Sequence, residues 1–196
     1  MLKKATGVVE RQIKKAEDDL LKRKKKLLGL RKKVKPIMVS DYSFSTWNGG
    51  QLKLSEMFGD KQELMVIHNM GKQCPYCTLW ADGFNGVVGH LEQRVPFVVV
   101  SNDDVPTQKE FATSRGWRFR MYSSHGSSFF ADMGFASPTG GPQPGVSTFK
   151  KDAKGRMYRV ASASFGPGDD FCATWPLLDL LPKGQNKWEP NYSYKP

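Results

Sequence analysis

The tetrapeptide Cys74-Pro75-Tyr76-Cys77 sits directly behind the apolar run Leu64-Met65-Val66-Ile67 and directly ahead of a helix-patterned stretch. A continuous apolar run of that length reads as a strand buried on both faces, which needs helices above and below its sheet. A C-x-x-C pair on the turn from such a strand into a helix makes an exposed, low-pKa thiolate with a partner thiol in reach. The pair therefore implies thiol–disulfide exchange.

The chain has 196 residues and three cysteines. That length suits one domain with a sizeable core. Three cysteines are too few for a disulfide framework and cannot pair evenly, so a single dithiol in a reducing compartment is the better reading. The opening residues contain no apolar signal region, and no stretch approaches the length of a membrane span. A cytoplasmic location is expected. The chemistry asks for no cofactor and no metal.

The formal net charge of +11 is unevenly placed. Residues 1–35 carry 14 Lys and Arg against 4 acids, a balance of +10, so the rest of the chain carries only +1. In this arm Val9, Ile13, Ala16, Leu20, Leu27, Leu30 and Val34 recur at alternating three- and four-residue steps, with Arg23 the one interruption. That is the apolar stripe of a helix. The run Lys22 to Lys26 lies mostly off the stripe, as a solvated face would. Burial of the stripe on the chain's own body or on a neighbouring subunit is the preferred reading, with a homodimer as its use. Phosphate-backbone binding by the basic face and an amphipathic membrane-surface helix are the alternatives, and nucleic acid is not the expected partner. Pro36 ends the arm, because proline lacks an N–H and pushes the preceding residue out of helical angles. The expected division is a basic helical arm over 1–36 and one domain over 37–196.

Beyond Pro36 the pattern changes. Tyr42, Phe44, Thr46 and then Leu52, Leu54 alternate around Asn48-Gly49-Gly50, a hairpin signal. After the Leu64–Ile67 strand, a helix is expected from Leu79 to Glu92 with Leu79, Phe84, Val87, Val88 and Leu91 on its inner side. Phe97 to Val100 is a second buried strand, and Asp104-Val105-Pro106 opens a helix closing at Gly116. Phe119 to Tyr122 reads as a strand, Ser128 to Met133 as a short helix, and residues 138–145 as loop. Val146–Lys150 and Met157–Ser162 form a hairpin, and a last helix runs from about Asp170 to Leu180. Alternating βαβ units with a terminal hairpin give an α/β thioredoxin-like fold. The extra strand and helix within 117–145 match its enlarged, peroxiredoxin-like variant.

Three separated stretches carry a resemblance: the string Gly71 to Gly86 around the cysteines, Phe130-Ala131-Asp132-Met133-Gly134-Phe135, and the tail Leu177 to Gly184. They are similar, in the same order, to an uncharacterised thioredoxin-like family, a former domain of unknown function, whose members are described as predicted dithiol-disulfide oxidoreductases. The similarity runs from about Ala16 to the end, and the arm resembles that family's charged N-terminal helix. The resemblance implies a fold and a chemistry, and no substrate. The tetrapeptide also occurs in glutaredoxins, but nothing else in the chain resembles one.

If the motif opens a helix, Cys74 stands where unpaired N–H groups and the positive dipole end favour a thiolate. Cys74 is then the attacking sulfur and Cys77, one turn along, resolves the mixed disulfide. Pro75 stiffens the turn, and Tyr76 shields the pair or packs. Lys72 either adds positive charge near the thiolate or is a solubility residue. Partners would be protein or small-molecule thiols and disulfides. A structural zinc site wants four ligands, and only Cys172 and three scattered histidines remain. His68, at a strand end six residues before Cys74, is read as packed or hydrogen-bonded, with proton transfer or copper binding as rival roles. His90 and His125 are read as structural, and Cys172 as a small buried residue, a third redox thiol being the rival.

In thioredoxins the loop facing the cysteines ends in a cis-proline beside which bound peptide pairs. Here Gly145-Val146-Ser147-Thr148-Phe149 occupies that stretch, with Ser147 where the proline would fall, and docking is expected along Val146, Ser147 and Thr148. Two other classes stay open. A thiol peroxidase suits the enlarged plan but lacks the Pro and Thr of the peroxidatic motif upstream of Cys74. A non-enzymatic redox sensor or adaptor would use the basic arm to hold a partner.

Overall fold

The computed structural model describes residues 2–194, with side chains from Gly7 onward; Met1, the start of the expected arm, and residues 195–196 lie outside the described residues. The chain divides into two compact units, one ending at Pro36 and one beginning at Ile37. The first is a single helix, α1 (Leu2–Arg31). It ends five residues before Pro36. Lys33 and Val34 tighten into three-residue turns, donating to the carbonyls of Leu30 (2.9 Å) and Arg31 (3.3 Å). No helix among the described residues is long and apolar enough to cross a membrane.

The second unit holds one sheet of eight strands in the order β1-β8-β7-β4-β5-β6-β2-β3. Its centre is β4 (Glu63–Asn69), β5 (Phe97–Ser101) and β6 (Arg120–Ser123), parallel to one another. The antiparallel hairpin of β7 (Gly145–Lys151) and β8 (Met157–Ser164) joins the β4 side, with an irregularity between Thr148 and Phe149. The hairpin of β2 (Ser43–Ser45) and β3 (Gln51–Lys53) joins the β6 side through Ser45 and Ser123. The two-residue β1 (Ile37–Met38), too short to leave a sequence pattern, borders β8. The helices are α2 (Leu54–Met57), α3 (Pro75–Arg94), α4 (Val105–Ser114), α5 (Phe129–Asp132) and α6 (Thr174–Asp179).

The central strands are apolar throughout because both faces are covered. On one face Leu64, Val66, Val98 and Val100 pack with Leu54 and Met57 of α2 and with Phe129 and Phe130 of α5. On the other, Ile67, Phe97 and Val99 pack with Trp80, Ala81 and Val88 of α3, Ala112 of α4 and Trp175 of α6. The inner side of α3 differs in part from the expected one: Trp80 and Ala81 are buried, whereas Val87 is 45% exposed. Helix α6 starts four residues later than expected, because the Asp169 carboxylate accepts the N–H groups of Gly166 (3.0 Å) and Phe171 (2.8 Å) and holds that stretch as a turn.

His68 of β4 is fully buried on the first face. Its ring stacks on Phe135 with centroids 4.1 Å apart, and its Nε2 shares a hydrogen bond with Ser147 Oγ (2.9 Å). Phe135 lies so close to Gly145 that a Cβ there would overlap its ring, so strand β7 needs glycine at that point. No hydrogen-bond partner meets His68 Nδ1. Burial, with the charge of Arg159 adding to it, pushes the His68 pKa down to about 3, so the imidazole is neutral. Between that value and the ordinary 6.5 the unfolded chain binds the extra proton, so stability is complete above about 6.5 and falls as the pH drops toward 3. We expect urea unfolding to show a slope of up to about 1.4 kcal/mol per pH unit from this group. In His68→Phe that part of the slope disappears; an unchanged slope would mean that His68 does not carry it.

Candidate active site

The parallel pairing of β4 with β5, Asn69 opposite Ser101, brings the loops after both strands to one end of the sheet. The loop after β4 turns at Gly71, whose φ of 100° lies in the left-handed region that glycine tolerates. A Cβ at Gly71 would overlap the carboxylate of Asp103. That carboxylate, from the loop after β5, accepts the Lys72 N–H (2.9 Å) and the Ser101 hydroxyl (3.3 Å). Asn69 accepts the Gly71 N–H (2.7 Å) through its side chain, and the Cys74 N–H donates to the Gly71 carbonyl (3.1 Å). These bonds fix where α3 begins.

Cys74 is the N-cap of α3, extended at φ −110° and ψ 102°, and Pro75 follows in the first turn, where no N–H is missed. A sulfur takes the place usually held by a hydroxyl or carboxylate oxygen: the Cys77 N–H donates to Cys74 Sγ at 3.0 Å. The Thr78 hydroxyl donates to the Cys74 carbonyl (3.1 Å) and pins the same turn. Both cysteines are free thiols; Cys74 is half-buried and Cys77 buried at 2% exposure. The thiol of Cys77, then the backbone N–H groups of Cys77 and Tyr76, stabilise a thiolate on Cys74 and lower its pKa to about 7 against the opposing effect of burial. Cys77 goes the other way. Its thiol is held in the bond to Cys74, burial disfavours its charge, and the nearby negative charges of Cys74 and Asp103 raise its pKa further. The Met70 N–H reaches Cys77 Sγ at 3.5 Å and opposes that rise. One sulfur is poised to attack at neutral pH and the other holds its proton.

Other expected residues fall as follows. Tyr76 is partly buried, its ring centroid 6.3 Å from Trp80 and 6.2 Å from Trp175. Lys72 contributes its backbone N–H to Asp103. His125 lies at the same end of the sheet, its Nδ1 3.1 Å from the Asn102 carbonyl. Cys172 is buried in the core that includes Trp80 and Trp175. Val146, Ser147 and Thr148, expected as the docking stretch, are placed within the sheet. These residues lie inside β7, paired to β4 on one edge and β8 on the other, so they offer no free backbone edge. Ser147 is fully buried against His68, and the residue immediately ahead of the strand is Pro144, whose carbonyl accepts the Phe165 N–H (3.0 Å). Among the described residues no group of three or more His, Cys, Asp or Glu is placed to hold a metal ion.

Two site residues were not singled out from sequence. Asp103 is held by backbone and hydroxyl donors, yet burial is its strongest influence and raises its pKa. Its signal was available: it stands two residues past a buried strand parallel to the one that leads to Cys74. Tyr192, from the far end of the chain, is raised by burial and then by the charges of Cys74 and Cys77, so the tail returns to the neighbourhood of the pair. Nothing local in the sequence marks it.

The fold is thioredoxin-like in the enlarged, peroxiredoxin-like form, with an N-terminal helix. Three solved structures show the likeness. Peroxidoxin BcpB from Mycobacterium tuberculosis is 21% identical with a TM-score of 0.54, the match covering 66% of this chain and 84% of that one. Reduced Prx3 from Vibrio vulnificus, in complex with hydrogen peroxide, is 15% identical with a TM-score of 0.54, over 67% and 87%. A peroxiredoxin-like protein from Aquifex aeolicus is 18% identical with a TM-score of 0.53, over 66% and 74%. The chain belongs to the family described as bacterial protein of unknown function, DUF899, which matches residues 6–195. Among curated proteins none matches it.

The two sulfurs make a pH profile the direct check of this geometry. Alkylation by iodoacetamide should rise with pH as the Cys74 thiolate forms, with a midpoint near 7, and mass spectrometry should place the adduct on Cys74 while Cys77 stays unmodified. A midpoint near the ordinary thiol value, or equal labelling of both cysteines, would contradict it.

Proposed function

We propose that this chain is a dithiol–disulfide oxidoreductase working through Cys74 and Cys77. The observation that carries the reading is the sulfur N-cap: Cys74 receives the Cys77 N–H at 3.0 Å and is acidic, and its neighbour is buried and protonated. In the reducing direction the Cys74 thiolate attacks one sulfur of a substrate disulfide, forms a mixed disulfide and expels the other sulfur as a thiolate. Cys77 then gives up its proton, and Asp103, whose charge is felt at Cys77, is the acceptor we assign. The Cys77 thiolate attacks Cys74 Sγ, the substrate leaves as its second thiolate, and a Cys74–Cys77 disulfide remains. Two electrons have passed to the substrate. Reversal of these steps oxidises a dithiol, and the potential of the pair decides the direction.

Substrate contact is assigned to the Cys74 turn and to the segment leading into Gly145, since β7 itself is paired on both edges. Protein or small-molecule disulfides fit a half-buried sulfur. We further propose a cytoplasmic location, a division into an arm over 1–36 and a redox domain over 37–196, and a homodimer through the N-terminal helix.

The likeness to peroxiredoxins supports a second reading, thiol peroxidase. There the Cys74 thiolate would attack a peroxide oxygen and release an alcohol or water, leaving a sulfenic acid. Cys77 would then displace water to give the same disulfide. One pair of assays separates the two. With dithiothreitol as reductant, reduction of insulin disulfides should be catalysed while peroxide consumption stays at background. Cys74→Ser should abolish turnover, Cys77→Ser should accumulate a mixed disulfide seen as a mass adduct, and Asp103→Asn should slow its resolution more than Cys74 alkylation. Fast peroxide consumption without disulfide reduction would replace the first reading by the second, and neither activity would leave a redox sensor.

A further inference from the structure

The large apolar side chains of the α1 stripe are exposed, from 45% at Leu27 to 54% at Ile13. Their steps fit heptads, with Ile13, Leu20, Leu27 and Val34 at a and Val9, Ala16, Arg23 and Leu30 at d. Within α1 the stripe runs from Val9 to Leu30, just over three heptads and about the length a two-stranded coil needs, while Lys33 and Val34 stand in the turns past its end. The flanking positions carry more information than the stripe. At e stand Glu10, Glu17, Lys24 and Arg31, and at g stand Gln12, Asp19, Lys26 and Lys33. Both flanks are acidic or neutral in the first half of the helix and basic in the second.

Charges at e and g set the orientation of a coiled coil. If two copies run parallel, the g-to-e pairs are mixed: Asp19 faces Lys24 of the second copy, but Gln12 faces Glu17, Lys26 meets Arg31, and Arg23 meets Arg23 across one core layer. If they run antiparallel, each a residue faces a d residue, and one register pairs the layers within the helix: Ile13 with Leu30, Leu20 with Arg23, and Ala16 with Leu27. In that register, and between the same layers, Glu10 faces Arg31, Glu17 faces Lys24 and Asp19 faces Lys26 of the second copy. Arg23 then lies against leucine, where its stem packs and its guanidinium reaches outward, four residues beyond Asp19 on its own helix. Within one chain Asp19 meets Lys22 at 3.2 Å, an exposed pair that contributes little.

From this charge pattern we infer that the arm forms an antiparallel two-stranded coiled coil with a second copy of the chain, centred between Leu21 and Lys22. The inference deepens the homodimer proposed above and is independent of the redox reading. Chemically it is a self-complementary contact, the same patch on both copies, as a two-fold dimer requires. The basic run at Lys22 to Lys26 then lies partly over acidic residues of the second copy, which accounts for it without a nucleic acid.

Two experiments on the full chain test it. In the first, Cys74→Ser and Cys77→Ser are combined with Ile13→Cys and Leu30→Cys, and a short bis-maleimide is added. Positions 13 and 30 are roughly 25 Å apart along one helix, so a link between them joins two chains. Peptide mapping should give 13–30 links. Links of 13 to 13 and 30 to 30 would overturn the antiparallel arrangement and keep an arm dimer. A crosslink-free chain that sediments as a dimer would move the interface off the arm, and a monomer at tens of micromolar would overturn the dimer altogether. In the second, which leaves the apolar stripe untouched, Glu10→Lys with Glu17→Lys should raise the dimer dissociation constant by about tenfold or more. Adding Lys24→Glu and Arg31→Glu should restore it, with helicity followed by circular dichroism. Unchanged dissociation in the first variant, or no recovery in the second, would overturn the charge pairing. Disulfide reduction by the wild-type chain is read separately, so either proposal can fail alone.

Discussion

The proposed chemistry rests on the hydrogen bonds that Cys77 gives Cys74 at the start of a helix, first from its thiol and then from its backbone N–H. Helix α3 has orphan N–H groups in its first turn, and Cys74 is the residue placed to receive one of them. With a pKa near 7 about half of Cys74 is thiolate at neutral pH, against about one per cent at the ordinary value of 9. A still lower pKa would add little thiolate and would weaken the nucleophile, because nucleophilicity falls with basicity. The half-burial of Cys74 works in that direction, opposing the hydrogen bonds and holding the value near ambient pH. The bond from the Cys77 thiol to Cys74 lowers the one pKa and raises the other, so the contrast between the two sulfurs is one effect seen from its two ends.

That interaction depends on where α3 begins, and the sheet decides this. Parallel pairing of β4 and β5 carries both chains to the same end, and Asp103 then receives the Lys72 N–H across the gap. Gly71 permits the approach, since any side chain there would occupy the space of the carboxylate. The carboxylate thus has two consequences: it holds the loop that positions Cys74, and its charge adds to the bond with Cys74 and the burial that raise the Cys77 pKa.

Much of this was legible in the residues. Buried parallel strands leave unbroken apolar runs, and Leu64–Ile67 and Phe97–Val100 sit inside β4 and β5. Asp104 caps α4 through the Thr107 N–H (2.9 Å), with Pro106 in the first turn, as its sequence signal implied. What was not legible has a common cause. Contacts between residues far apart in the chain leave no local pattern: Asp103 on Lys72, Tyr192 near the cysteines, and β1 on β8 are all of this kind. The pairing of Val146 to Thr148 on both sides has the same source. A strand's own sequence does not say whether its edges are taken, and here both are.

The two units answer to different physics. From residue 36 onward the chain carries a net charge of only +1 and buries its stability in two apolar layers, so its fold is insensitive to salt in first approximation. The arm carries +10, and among its described side chains none is buried. A helix with an exposed stripe gains most of its stability from whatever covers that stripe. Its charges are segregated along its length rather than mixed, so a partner of uniform sign would attract one half and repel the other. A surface with the opposite gradient satisfies both halves, and an identical helix turned end for end has that gradient by construction. Opposed gradients also fix direction and register together, because sliding by one heptad brings like charges opposite one another.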